Sequence, residues 1–315
     1  MHIGKIGEFM QKPTSITKSD EMDAKRKGPS KMAEMIALHR VAESALPEGV
    51  RICYDPYAVR FVGPETLEFA RKNPEKTKAM REHYERLFPG LANSIRARVR
   101  YFDDFLKASI DEGLEQLVIL GAGYDTRAYR IDGLKGRVKA FEVDHPLTQV
   151  VKIDKIKEIF GALPDHVAYV SVDFEMESLG RKLMEKGYDR SKKTLFIMEG
   201  LIMYIPPQAV DDMLSFIAGN SGKGSRIIFD YYSKSLVDGT DELEAAKNIR
   251  DYVIQQGEPL QFGIDDGVVP DFLAERGFSD VRIVTGEDYK KACYSGVNKD
   301  RAVSNLLSFA CASVK

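Results

Sequence analysis

"QLVILGAGYDTRAYRID", residues 116–132, contains the turn on which the fold depends. An apolar run at 117–120 stops abruptly at Gly121-Ala122-Gly123, and reads as a strand that ends in a glycine turn. Gly121 and Gly123 allow main-chain N–H groups to approach a ligand closely, and a helix opening just after them presents its positive end. The turn lacks the third glycine of the dinucleotide fingerprint: Gly-Ala-Gly is followed by bulky residues, which argues against a closely held pyrophosphate.

Downstream, the chain repeats strand, turn and helix. Strands are expected at 116–120, 138–143, 168–172, 194–198 and 226–229, separated by helical or loop segments. Alternation of this kind predicts right-handed crossovers, a mostly parallel sheet, and a ligand site outside the carboxyl ends of the strands. The runs "VRIVTGEDYK" and "SNLLSFACASV" break the rhythm and predict an antiparallel pair at the sheet edge. Upstream, "KMAEMIALHRVAESAL", "PETLEFARKN", "NPEKTKAMREHYERLF" and "LANSIRARVRYFDDFLKASIDEG" have apolar residues at helical spacing, with Pro or Gly punctuation. The expected organisation is a helical extension over 1–112 and an α/β domain over 113–315, with a helical insertion near 234–272 able to cover the site.

Composition excludes several classes of function. The 315 residues are 43% hydrophobic and 30% charged, and no apolar run approaches the roughly 20 residues needed to span a bilayer. The opening "MHIGKIGEFMQKPTSITKSD" does not read as a secretory signal, so a cytoplasmic location is expected. Three scattered cysteines and five dispersed histidines form no disulfide framework and no metal-ligand spacing. A net charge of −2 gives no footprint for duplex nucleic acid, and the local basic run "KRKGPSK" at 25–31 reads as a solvated tail.

The strand ends carry acids. "VKAFEVDHP" places Asp144 at the end of the second strand, where a carboxylate can accept hydrogen bonds from both hydroxyls of a ribose, with Glu142 one strand period earlier. "VSVDFE" adds Asp173 and "FIMEGLIMY" adds Glu199. One such acid is commonly a turn or cap residue; a run of them on one rim suits a cationic ligand better than a diphosphate.

In their order and spacing, "LGAGYDTRAYR", "FEVDHP", "VDF" and "MEGLIMY" resemble the leucine carboxyl methyltransferase family of S-adenosylmethionine-dependent methyltransferases, including bacterial and archaeal members of the polyketide O-methyltransferase type. "MAEMIALHRVAES", "ICYDPYAVRFV" and "RARVRYFDDFL" extend the resemblance upstream, so that it covers roughly residues 30 to 230. It implies a class I methyltransferase fold with a Rossmann-like sheet and S-adenosyl-L-methionine as cofactor. It further implies that Arg98 pairs with the methionine carboxylate, Gly121 and Gly123 line the methionine end, and Asp144 holds the ribose. Asp173, with the backbone beside Phe174, would face the adenine, and Glu199 the amino group or sulfonium. Asp125 and Arg127 would fix the loop. His39-Arg40-Val41 departs from the family's usual Arg-Ala pairing, which puts a substrate role for Arg40 in doubt.

The acceptor implied is a carboxylate or hydroxyl oxygen of a small molecule, or a protein C-terminal carboxylate. A carboxylate needs a positioning cation, whereas a hydroxyl needs a base beside it. Tyr204, Tyr231 and Tyr232 lie near strand ends, but no base is assigned. Arg40, Tyr57, Tyr252 and Phe262 are the expected acceptor-pocket residues of the helical extension and insertion. Two other readings compete, a nicotinamide-dependent oxidoreductase and a non-catalytic relative that binds a metabolite. The truncated glycine pattern weighs against the first, and the full set Arg98, Gly121, Asp144, Asp173 and Glu199 against the second.

Overall fold

The computed structural model describes residues 28–315; the start of the basic run, at 25–27, and the opening segment lie outside the described residues. Helix α1 (Lys31–Ser44) begins at Ser30, whose hydroxyl accepts from the Ala33 amide. Two largely exposed helices follow, α2 (Pro64–Lys72) and α3 (Pro74–Leu87), each opened by proline at its first turn. The long α4 (Leu91–Asp111) starts at Gly90, which has φ 72° and lies against the backbone of Val303, so that an added Cβ would come within 2.4 Å of it. Only glycine combines that dihedral with that approach.

The sheet has seven strands in the order β3-β2-β1-β4-β5-β7-β6. They are β1 (Gln116–Leu120), β2 (Lys139–Asp144), β3 (Val167–Ser171), β4 (Thr194–Met198), β5 (Arg226–Tyr231), β6 (Phe278–Val284) and β7 (Ser308–Val314). The first five pair in parallel, while β7 runs antiparallel to both β5 and β6. Between them run the short α5 (Arg127–Arg130), then α6 (Pro146–Phe160), α7 (Leu179–Glu185) and α8 (Pro207–Gly219). The later segment supplies α9 (Lys234–Asp238), α10 (Glu244–Gln255), α11 (Val269–Ala274) and α12 (Gly286–Cys293).

Strand β1 shows why its sequence is apolar throughout. Leu117 and Ile119 enter the core formed with Phe102, Leu106 and Ile110 of α4, while Val118 and Leu120 enter the opposite core with Leu183, Val210 and Leu214. Alternation of side chains across a strand thus requires hydrophobic residues at every position when both faces are covered. The expected C-terminal pair forms, with two corrections. The final strand β7 is inserted beside β5, leaving β6 at the edge, and residues 286–290 of the first β-rich run belong to α12, opened by a capping box between Thr285 and Asp288. No described helix is long and apolar enough to cross a membrane.

Because β2 and β4 flank β1 on opposite sides, the chain reverses direction across the sheet at β1, and a crevice opens beyond the carboxyl ends of β1 and β4.

Candidate active site

That crevice is a cavity of about 1070 Å³ lined by Arg98, Gly121, Gly123, Asp144, Asp173, Phe174 and Glu199, the complete set that the family resemblance implied for the cofactor. Its other walls come from α1, α3, α4 and the segment 237–261.

The glycine turn is held from below. Gly121 and Gly123 have φ of 65° and 43°, and a Cβ on Gly121 would lie 2.9 Å from the Leu201 side chain. Asp144 accepts the Gly123 N–H through Oδ2 and the His145 N–H through Oδ1, so this carboxylate is fixed at the strand end and also shapes the loop. Lys152 reaches the Ala122 carbonyl at 3.4 Å and forms a buried ion pair with Glu142 at 2.8 Å. Glu142 therefore lies beneath the turn rather than on the cavity wall, and the Tyr129 hydroxyl donates to it. Burial raises the Glu142 carboxyl above its usual range despite the Lys152 charge.

At the end of β4, Glu199 is bracketed by two arginines. Arg98 Nη2 lies 3.1 Å from Oε1 and Arg127 Nη1 2.7 Å from Oε2. The other Arg98 terminus, Nη1, donates to Asp230 Oδ2 at 2.5 Å, and Asp230 Oδ1 accepts the Gly200 N–H at 2.6 Å. Burial alone would lower the Arg98 pKa, but Asp230 and Glu199 hold it above the ordinary arginine value. Burial likewise works against Asp125, yet Arg127 and Lys152 bring it down to about 2. Arg127 also pairs with Asp103 at 2.7 Å, so Asp125 and Arg127 fix the loop and its helix, as the sequence reading held. Asp173 is more open, with its Oδ1 accepting the Glu175 N–H at 3.0 Å and Phe174 beside it on the wall.

Several expected acceptor residues are elsewhere. Arg40 lines the cavity, but its guanidinium is bound to Asp55 at 2.8 Å and to the Tyr124 carbonyl. Tyr57 packs edge-on to Phe160, Phe262 packs against Phe272, and Tyr231 donates to Asp266; none of the three lines the cavity. Tyr204, Tyr232 and Tyr252 do line it. Sequence reasoning missed Asp230, although "RIIFDYY" continues the run of strand-end acids one residue beyond the expected end of β5. It also missed Tyr84 and Phe88, whose helix carried no sign of which face would meet the cavity.

The sequence model of the family "Leucine carboxyl methyltransferase" matches residues 33–218. The chain belongs to this family. Over 254 residues it is 32% identical to a Mycobacterium avium protein named "Putative S-adenosyl-L-methionine-dependent methyltransferase", covering 78% of this chain and 82% of that one. A Mycobacterium marinum protein of the same name is 32% identical over 252 residues, covering 78% and 81%. Among solved structures, a DUF574 family protein from Streptomyces avermitilis superposes with a TM-score of 0.59 at 11% identity over 91% of this chain and 98% of that one, a likeness of fold. This family member is an S-adenosyl-L-methionine-dependent methyltransferase with a class I methyltransferase fold, which sets aside the oxidoreductase and non-catalytic readings.

Proposed function

We propose that the enzyme transfers a methyl group to an oxygen of a small molecule, with the cofactor held along the rim of β1, β2, β3 and β4. The observation that carries this reading is the Arg98–Glu199 pair. A buried cation and a buried anion 3.1 Å apart on one cavity wall are the complement of an α-amino-acid zwitterion. Arg98 Nε, buried and without a hydrogen-bond partner among the described residues, adds a donor that a carboxylate can satisfy. Arg98 would hold the methionine carboxylate and Glu199 the amino group. Gly121 and Gly123 would leave room beside the chain, Asp144 would hold the ribose hydroxyls, and Asp173 with the backbone at Phe174 would hold the adenine.

When bound, S-adenosylmethionine supplies an activated methyl group: a C–O bond forms as the C–S bond breaks, and its electron pair stays on sulfur. The residues of the chain then have to align the acceptor and exclude water. We assign that work to residues 28–112 and to the 234–261 part of the insertion, which close over the rim. The volume of about 1070 Å³ is at the upper end of ordinary ligand pockets, which accords with a site for two molecules. Calorimetry with S-adenosylhomocysteine tests the placement. Asp144→Ala removes charge-assisted hydrogen bonds and should weaken binding by about 1–3 kcal/mol. Unchanged affinity in that variant would sink the assignment.

A further inference from the structure

Helix α6 meets the sheet through polar side chains. Of its buried residues Thr148, Gln149, Lys152 and Ile156 only the last is apolar, whereas the buried face of α8 is apolar throughout. Each of these polar groups reaches a part of the cofactor rim. Thr148 Oγ1 accepts the Ser30 N–H at 3.0 Å, just before α1 begins. Gln149 joins β2 to β3, donating to the Glu142 carbonyl at 2.8 Å and accepting from the Ser171 hydroxyl. Lys152 reaches the glycine turn itself, its ammonium lying 2.8 Å from Glu142 Oε1 and 3.4 Å from the Ala122 carbonyl.

The peptide that joins Ala122 to Gly123 is thereby held at both ends. Its carbonyl faces the Lys152 ammonium and accepts the Asp125 N–H at 2.7 Å, while its N–H donates to Asp144 Oδ2. A cation at the oxygen and a carboxylate at the N–H both follow the peptide dipole, so the two charges reinforce one orientation. Packing alone does not call for this lysine. A buried ion pair can often be exchanged for apolar residues of like size without loss of stability. Lys152 also lies outside the cavity wall, so its influence on a ligand has to pass through the turn.

We propose that Lys152 is a positioning residue for the cofactor: anchored by Glu142, its ammonium sets the Ala122–Gly123 peptide, and that peptide sets the Asp144 carboxylate for the ribose hydroxyls. The proposal rests on the cofactor placement above and adds to it a residue that does not touch the ligand. Without the ammonium the peptide keeps its bond from Asp125 but loses the charge at its oxygen, and Asp144 is held less firmly.

Calorimetry with S-adenosylhomocysteine tests this on the double variant Glu142→Gln/Lys152→Met, because Lys152→Met alone strands a buried carboxylate and loses stability whatever its role. The double variant should unfold at a urea midpoint close to that of the wild type and bind about tenfold more weakly. Glu142→Gln alone keeps the ammonium and should bind within about twofold of the wild type. Adding Asp144→Ala to the double variant should weaken binding only about two- to threefold more, because the carboxylate it removes is already out of position. Wild-type affinity in the double variant would overturn the proposal, as would an equal loss in Glu142→Gln alone, or losses that multiply in full when Asp144→Ala is added. Failure of the double variant to fold would make Lys152 a requirement of the fold and would overturn it too. Unchanged binding in Asp144→Ala alone would instead overturn the cofactor placement.

Discussion

At the sheet rim, Arg98, Arg127, Glu199 and Asp230 pair with one another through contacts of 2.5 to 3.1 Å, in a region almost sealed from water. Across the same cavity, Tyr84, Phe88 and Tyr252 meet through ring faces and edges, with no ion pair among them. The rim is fixed by charge and geometry, so it suits a ligand that never changes. The wall is fixed by shape, and exchanging one apolar side chain for another reshapes it cheaply. Two regions of one cavity can therefore tolerate substitution differently.

The sharpest way to break this comparison is to remove one charge from the rim. Arg98→Met leaves Asp230 and Glu199 with less compensation, and loss of one partner from a buried ion network typically costs about 3–5 kcal/mol of stability. Phe88→Leu, a substitution in the wall, should cost much less, in keeping with near-isosteric apolar exchanges of under about 1.5 kcal/mol. Urea unfolding of both variants measures the difference. Equal shifts in the midpoint would show that the rim is not held by charge.

The same contrast explains what the sequence made legible. Each parallel strand delivers its last residues to one rim, so Asp144, Asp173 and Glu199 could be placed together from strand ends alone. Asp230 was lost only because β5 runs to Tyr231, beyond its expected end at 229. The opposite wall of the cavity is assembled from α1, α3, α4 and α10, and helical periodicity reveals an apolar face without revealing what that face meets. Tyr57 and Phe262 were therefore expected on the wall and lie off it, while Tyr84 and Phe88 were overlooked. Arg40 was legible as a cation but not as the partner of Asp55, which lies in a loop with no periodicity to place it.

A smaller effect tests how the two regions are joined. Glu258 accepts from the Ser30 hydroxyl at 3.0 Å and from the Met32 N–H at 3.1 Å, tying the insertion to the first turn of α1 where that helix crosses the glycine turn. Glu258→Ala removes a carboxylate from a helix N-terminus, worth about 1 kcal/mol, and should speed amide exchange at 31–36 about fivefold. Unaltered exchange there would show that the helix is held by its packing alone.

The smallest effect concerns His39, where wall and rim meet. Its ring is half-buried and lies edge-on to Tyr84 at 5.5 Å, and burial, reinforced by Arg96, Arg98 and Arg40, lowers its pKa to about 3. In the unfolded chain the same imidazole titrates near its ordinary 6.5. Between these two values the unfolded state binds the additional proton, so stability rises with pH through this window. The contribution is fully present above 6.5 and is lost as the pH falls toward 3. One full proton would give a slope of about 1.4 kcal/mol per pH unit, and water beside a half-buried ring reduces the effect to a fraction of that. His39→Gln removes the titrating group, so the variant should lose less stability than the wild type when urea midpoints are compared at pH 7.5 and 5.5. Parallel losses in the two proteins would mean that neither burial nor the neighbouring Arg96, Arg98 and Arg40 hold the His39 ring neutral in the fold.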